Sequence, residues 1–391
     1  MDDVTLRPRD PAGVSFLAAN PSTTKVRLTW PAARPESTRP GAGDKQDPLT
    51  RPIRHGNIWV GGDVRMPLGD SPDGVRMQRA CNYFVLLELL GHREPPTRTA
   101  WQHLQGRVDL SLPLDPGVGA ALGRLDWDPT TVQTAHAKVA RDLNMLADGD
   151  GILELGSPDY PERLAATGDA PPFLFVRGDP GLLNDAAIAV VGTREATDQG
   201  RRRALKLGHL LAERGVVVTS GLARGIDRAA HVGALETGGL TIAVIGTPLT
   251  AHYPKEHAEL QETISALGAV VSQFRPGATV HRSFFPKRNA TMSGLCLGTV
   301  VVEASETSGA LIQARQCLAQ GRKLFIPQSA LDDRRLRWPA RFMEQGAHRF
   351  ATIEELLDVL EKEGLLAPKP PSDSAGSADW PRAEVIPLHV R

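Results

Sequence analysis

The sequence predicts an α/β protein built on a doubly wound, mostly parallel sheet and preceded by a small helical domain. Three observations carry that expectation. Seven apolar runs of strand length recur between residues 151 and 350, with helical periodicity between them. The runs are nearly continuous in apolar residues rather than alternating, as strands covered on both faces are. The connections are short, which fits repeated βα units better than hairpins.

Taken in order, residues 1–75 are rich in Pro, Gly, Arg and Asp. Short strands are conceivable at Val14–Ala19, Lys25–Trp30 and Asn57–Val60, and 31–48 reads as flexible connection. The region is otherwise unassigned. Helical spacing begins with Met77–Leu90, stopped by Gly91, and continues at Ala100–Leu104, Gly117–Leu125 and Thr130–Leu146, with Thr130-Thr131 suited to an N-cap. Residues 76–150 thus form a helical domain. The expected strands are Phe173–Val176, Ile188–Val191, Val216–Thr219, Thr241–Ile245, Ala269–Ser272, Val300–Val302 and Leu324–Ile326. Helices over Arg201–Arg214, Ile226–Leu235, His257–Leu267 and Gly309–Gln320 complete an extended Rossmann-like domain at 151–350. An acidic helix at 351–366 and a disordered tail at 367–391 follow.

Composition narrows the function. No stretch reaches the ~18 apolar residues of a membrane helix, and Met1-Asp2-Asp3 does not open a secretory signal. Cys81, Cys296 and Cys317 are too far apart for a zinc cluster or a disulfide framework, so a cytoplasmic protein is expected. The 391 residues hold 45 Lys+Arg and 45 Asp+Glu. Zero net charge argues against a nucleic-acid partner only if the charge is evenly spread, and it is not. Residues 186–349 carry 21 basic and 13 acidic side chains, whereas 1–185 and 350–391 are each acidic by four. The basic surplus lies in the predicted sheet domain.

In open α/β sheets ligands bind beyond the carboxyl ends of the strands. The loops there are Gly192-Thr193-Arg194, then Ser220-Gly221 with Arg224-Gly225 and Asp227, then Tyr253-Pro254-Lys255. Two more are Phe284-Phe285-Pro286-Lys287-Arg288-Asn289 and Glu303 through Ser308-Gly309. Small residues permit close backbone approach to phosphate, and Arg194 supplies a forked donor. Lys255 opposes the dipole of the helix it begins, which hints at a use other than stability. Paired aromatics followed by cations and an amide match single-stranded nucleic acid, although core packing of Phe284 and Phe285 fits equally well. Asp227 and His231 fit direct ligand contact, and slightly better a helix-dipole partner and a packed or capping histidine. Cys296 and Cys317 read as inert core thiols.

Enzyme signatures are scarce: G-x-S-x-G, H-E-x-x-H, P-loop and C-x-x-C patterns are missing, and the eleven histidines show no metal-ligand spacing. No catalytic residue, metal or cofactor is expected.

The order of these loops resembles the DprA/Smf family of DNA-processing proteins. The resemblance runs from Tyr160-Pro161-Glu162-Arg163-Leu164 to about Phe350. It is carried by Ala189–Arg194, Ser220–Asp227 with Ala230-His231, Thr241–Val244, Tyr253-Pro254-Lys255, Phe285-Pro286 with Arg288-Asn289, and Val302-Glu303-Ala304 with Ser308–Leu311. It implies a homodimer that binds single-stranded DNA, protects it during transformation or recombination, and helps load a RecA-type recombinase without turnover chemistry. Carried over, the contacts would be Gly192, Thr193, Arg194, Ser220, Gly221, Arg224, Gly225, Lys255, Lys287, Arg288, Asn289, Ser308 and Gly309. The sequence departs from the family pattern at Pro248, Gln273, Ala290, Gln313 and Gln328, and the tail is too short for the usual winged helix. A nucleotide-binding sensor or a mobile-element or phage-defence paralogue using the same crevice remains the alternative. An enzyme relying on Glu303 and Glu306 ranks last.

Overall fold

The computed structural model describes residues 71–122 and 127–367. The strands expected before residue 61, the connection at 31–48 and the tail from 368 onward lie outside the described residues.

Four helices come first: α1 (Pro72–Leu89), α2 (Glu94–Leu104), α3 (Val118–Ala121) and α4 (Pro129–Leu143). Ser71 caps α1 by accepting the Gly74 N–H at 3.1 Å. The α4 cap is Asp128, which accepts from Thr131 N–H at 2.9 Å, rather than the expected Thr130-Thr131 pair. Pro129 fills the first helical position, where no N–H is needed. Likewise α2 starts six residues before the expected Ala100, because its prolines sit in the first turn and do not break it.

Among the described residues nine strands form one sheet. They are β1 (Gly151–Glu154), β2 (Phe173–Gly178), β3 (Ala187–Gly192), β4 (Val217–Ser220), β5 (Thr241–Val244), β6 (Ala269–Ser272), β7 (Gly298–Glu303), β8 (Lys323–Pro327) and β9 (His348–Phe350). Their order is β1-β2-β6-β5-β4-β3-β7-β8-β9. All seven expected strands are present. The short edge strands β1 and β9 are additions, and β1–β2 and β2–β6 pair antiparallel while the other pairs are parallel. The intervening helices are α5 (Glu162–Ala165), α6 (Asp198–Glu213), α7 (Ile226–Glu236), α8 (Ala258–Leu267), α9 (Phe284–Leu295), α10 (Ala310–Ala319), α11 (Gln328–Leu331), α12 (Trp338–Glu344) and α13 (Ile353–Lys362). The 284–289 stretch, expected as a loop, is the start of α9, and Pro286 falls within its first turn.

Period-two alternation sorts β3 between two cores. Ala189 and Val191 join Met292 of α9 and Leu311 of α10 on one side. Ile188 and Val190 join Ala204 of α6, Ala230 of α7 and Leu356 of α13 on the other. A third core joins the helical segment to the sheet. Tyr83 and Trp101 lie 5.6 and 5.7 Å from Phe173, and Phe84 lies 5.8 Å from Phe175, measured between ring centres. Such pairs add about 0.5–1.5 kcal/mol each beyond the area they bury. Arg275, buried after β6, forms ion pairs with Glu88 of α1 and Asp142 of α4. The helical segment is therefore packed on the sheet through both an aromatic layer and a buried cation.

No helix among the described residues is long and apolar enough to cross a membrane. No group of three or more His, Cys, Asp and Glu among them is placed to hold a metal ion.

Candidate nucleic-acid interface

From β3 the chain steps through β4, β5 and β6 in one direction, then returns to place β7 on the other side of β3. The loops after β3 and β7 therefore part, and a crevice opens at their carboxyl ends. Its volume is about 400 Å³. Buried Val191, Arg288, Met292 and Gln313 line its inner end, and exposed Arg194, Glu195 and Gly309 its rim.

The β3 loop is built for closeness to β7. A methyl group on Gly192 would come within 2.7 Å of the Glu303 carbonyl oxygen. The Thr193 N–H donates to that same oxygen at 2.7 Å. Arg194 is the first long side chain to project outward. Its guanidinium lies 5.6 Å from the Phe285 ring centre. On the same ring Tyr253 packs at 5.5 Å and remains 49% exposed. Gly246 leaves room for Phe285, since a side chain there would meet the ring at 2.7 Å. Neighbouring helical residues point about 100° apart. So Phe284 turns the other way and stacks on Phe274 at 3.9 Å between ring centres. The two half-buried phenylalanines divide the roles the sequence left open, one stacked on buried Phe274 and one at the crevice.

The glycine loop after β4 folds inward. Asp227 is buried and accepts the Gly221 and Ala223 N–H groups at 3.1 and 3.4 Å. Burial pushes its carboxyl pKa upward, opposed by the nearby Arg288 charge and those two N–H groups. Leu222 takes a positive φ of 58°, and the His257 ring N–H donates to its carbonyl at 2.8 Å. Gly225, at φ 75°, passes so near the Thr193 carbonyl that a side chain would overlap it. Ser220 is fully buried and donates to the Val190 carbonyl at 2.6 Å. These geometries correct the expectation of a phosphate cradle: Asp227 takes up the Gly221 and Ala223 donors and the Val190 carbonyl takes the Ser220 hydroxyl, while Ala223 and Asp227 themselves line the crevice.

Arg288 is corrected in the same way. It is only 6% exposed. Its Nη1 donates to the Gly221 and Val244 carbonyls at 2.7 and 2.6 Å, tying the β4 loop to the end of β5. Burial lowers its pKa to about 10, with Asp227 acting the other way, so it stays charged at neutral pH. Arg288 is a floor residue rather than a free phosphate clamp. Lys287 is half-buried and paired with Glu94 of α2 at 3.1 Å. Arg224 is exposed but paired with Glu256. Lys255 is exposed in a tight turn ahead of α8, not in the helix itself. Asn289 lines the crevice. Ser308 and Gly309 line the crevice at the start of α10, whose first three N–H groups donate to the Ser308 hydroxyl and to the Ser308 and Gly309 carbonyls. Glu303 accepts the Thr197 N–H at 3.0 Å and its hydroxyl at 2.7 Å, so it organises the start of α6. Glu306 caps α12 through the Arg337 and Trp338 N–H groups.

The sequence model for DNA recombination-mediator protein A matches residues 151–361, more than half of the chain. The chain belongs to that family.

Its relatives include protein Smf of Escherichia coli K12, 38% identical over 229 residues, which span 58% of this chain and 61% of the relative. DNA processing protein DprA of Bacillus subtilis 168 is 33% identical over 241 residues, 61% of this chain and 81% of that one. The X-ray structure of DprA from Streptococcus pneumoniae superposes with a TM-score of 0.57 at 29% identity, covering 73% of this chain and 95% of the other. Every crevice-lining residue falls within the segment matched by the recombination-mediator model. Two contributors stand outside the contacts carried over from the resemblance, although the Tyr253-Pro254-Lys255 loop is among those expected at the strand ends. Tyr253 reaches the crevice mouth only because the turn before α8 lifts it there. Gln313 stands out in sequence as a departure from the family pattern, but its place at the inner end follows from the pitch of α10.

Proposed function

We propose that this chain binds single-stranded DNA across the mouth of the crevice and passes it to a recombinase. The observation that carries the reading is the cluster of Tyr253, Phe285 and Arg194 at the crevice rim. Exposed aromatic faces stack bases at about 1–3 kcal/mol each, and cations beside them hold the backbone. Arg194 at the rim and Lys255, two residues after Tyr253, are exposed cations in a domain whose net charge is positive. The family description, recombination mediator, and the relatives' name, DNA processing protein, support DNA as the partner and recombination as the setting. A RecA-type partner, a homodimer, a cytoplasmic setting and the lack of turnover chemistry belong to the same reading. Glu303 and Glu306, the glutamates an enzyme would rely on, are engaged in capping.

Fluorescence anisotropy with a short labelled dT strand at two salt concentrations tests it. Binding that weakens steeply with salt is expected, because released counterions drive phosphate contacts. Absence of binding, or binding indifferent to salt, would refute it.

A further inference from the structure

On the far side of the β3 loop from the crevice, a groove of about 270 Å³ runs between α6 and α7. Arg201, Arg202 and Arg228 line it, and among the described residues no aromatic ring does. Asp198 and the Ala196 carbonyl hold Arg201. Among the described residues the side chains of Arg202 and Arg228 have neither an ion-pair nor a hydrogen-bond partner. The carboxylates of the groove are already engaged, Asp198 by Arg201 and Glu236 by the His209 ring at 2.9 Å. Arg228 also sits in the first turn of α7, where the helix dipole disfavours a cation. Two uncompensated guanidiniums therefore share one groove, and neither serves the fold by pairing.

The groove is continuous with the crevice. Thr193, Arg194 and Glu195 line the crevice, and Thr197 caps α6 directly after them. The first N–H of α7, on Ile226, donates to the Thr193 carbonyl at 3.4 Å. Successive residues of α7 divide across this ridge, Asp227 lining the crevice and Arg228 the groove.

Resting on the single-stranded DNA reading, we infer that the strand leaves the crevice over Arg194 and runs on into the α6–α7 groove, where Arg202 and Arg228 hold its phosphates. The forked guanidinium matches phosphate oxygens in pairs. With no ring to stack on, the groove takes the backbone alone, so it adds affinity with strand length and no preference among bases. An acidic protein face would meet the same two guanidiniums, but continuity with Arg194 favours the strand.

Anisotropy titrations of the full chain with dT strands of about six and about fifteen nucleotides, each over a range of salt, test the inference. Each phosphate held on a single strand adds about 0.7 to the log–log salt slope, so the longer strand should show a slope steeper by at least about 1.4. Arg202→Gln with Arg228→Gln should remove about 1.4 from the slope on the longer strand and leave the shorter strand unchanged. Arg202→Lys with Arg228→Lys keeps both charges and should restore the long-strand slope. The melting temperature of the glutamine variant should be equal or higher, since a charge that the α7 dipole disfavours is gone. A fall of several degrees would assign the arginines to the fold and overturn the inference. Equal losses on both strands, or a loss on neither, also overturn it while leaving strand binding across the crevice intact. A wild type that binds neither strand defeats the single-stranded DNA reading, and the inference with it.

Discussion

The guanidinium of Arg288 occupies the space that a side chain on Gly221 would take, and Nη1 donates back to the Gly221 carbonyl at 2.7 Å. The glycine at the end of β4 is thus required by an arginine 67 residues later, not by a ligand.

Gly221→Ala therefore overpacks a pinned, buried guanidinium. We expect about 1–3 kcal/mol of destabilisation, read as a drop in the urea midpoint. Gly309→Ala is the control, because nothing lies within 4 Å of its added methyl. It should leave the midpoint unchanged.

Arg288→Ala removes the charge nearest the buried Asp227 and strips two carbonyls of their donor. A loss of about 3–5 kcal/mol is expected, again by urea unfolding. Loss of strand binding in this variant alone would then report unfolding, not a missing phosphate contact.

Arg194→Ala and Lys255→Ala act at exposed positions and should leave thermal stability unchanged. Each should weaken strand binding and flatten the log–log salt slope by about 0.7 for every phosphate left without its cation. Lys287→Ala should do less, since Glu94 already engages that ammonium. Equal effects of all three would contradict the Lys287–Glu94 pairing.

His231 is fully buried, and its Nδ1–H donates to the Thr241 hydroxyl at 2.7 Å, which in turn donates to the Val218 carbonyl. Burial lowers its pKa to about 3, against 6.5 for a free ring. Between those values the unfolded chain binds the proton and the folded chain refuses it. Its contribution is fully present above pH 6.5 and drains as pH falls towards 3, by up to about 1.4 kcal/mol per pH unit. His231→Asn keeps a donor for Thr241 without the titration. The stability loss between pH 6.5 and 5 should be smaller in that variant, measured by urea unfolding.

Burial raises Cys81 and Cys296 to about 12 and Cys317 to about 11. All three should resist alkylation at pH 8 in the native protein and react once it is unfolded, counted by mass spectrometry.

The sheet was legible because parallel strands are apolar on both faces, so Ile188–Val191 and its like stand out from the surrounding sequence. The edge strands β1 and β9 are invisible in sequence because Gly151–Glu154 and His348–Phe350 lack the continuous apolar run that marks the central strands. Helix starts are displaced from expectation where a proline lies in the first turn, as in α2, and where an aspartate caps two residues earlier than a threonine, as at Asp128. The candidate site was legible as a set of loops, since topology alone puts them at one end of the sheet. Which side chains reach the crevice was not. Arg194 and Arg288 look alike in sequence, yet one is exposed on an aromatic ring and the other buried beneath a glycine. That distinction depends on burial created by the Gly221 carbonyl and Asp227, which no local pattern encodes. Phe284 and Phe285 diverge because they open a helix, where a loop was expected.

The crevice owes its existence to the itinerary of the chain around β3 rather than to any residue inside it. Its lining can therefore be exchanged without closing the gap, much as a lock case accepts different wards. Positions such as Gln313 and Ile312 are free to redefine what is recognised while the β3–β7 pairing holds the opening. Variation at Gln313 and Ile312, unlike variation at Arg288 or the core residues Val191 and Met292, should then alter ligand choice far more readily than it alters folding.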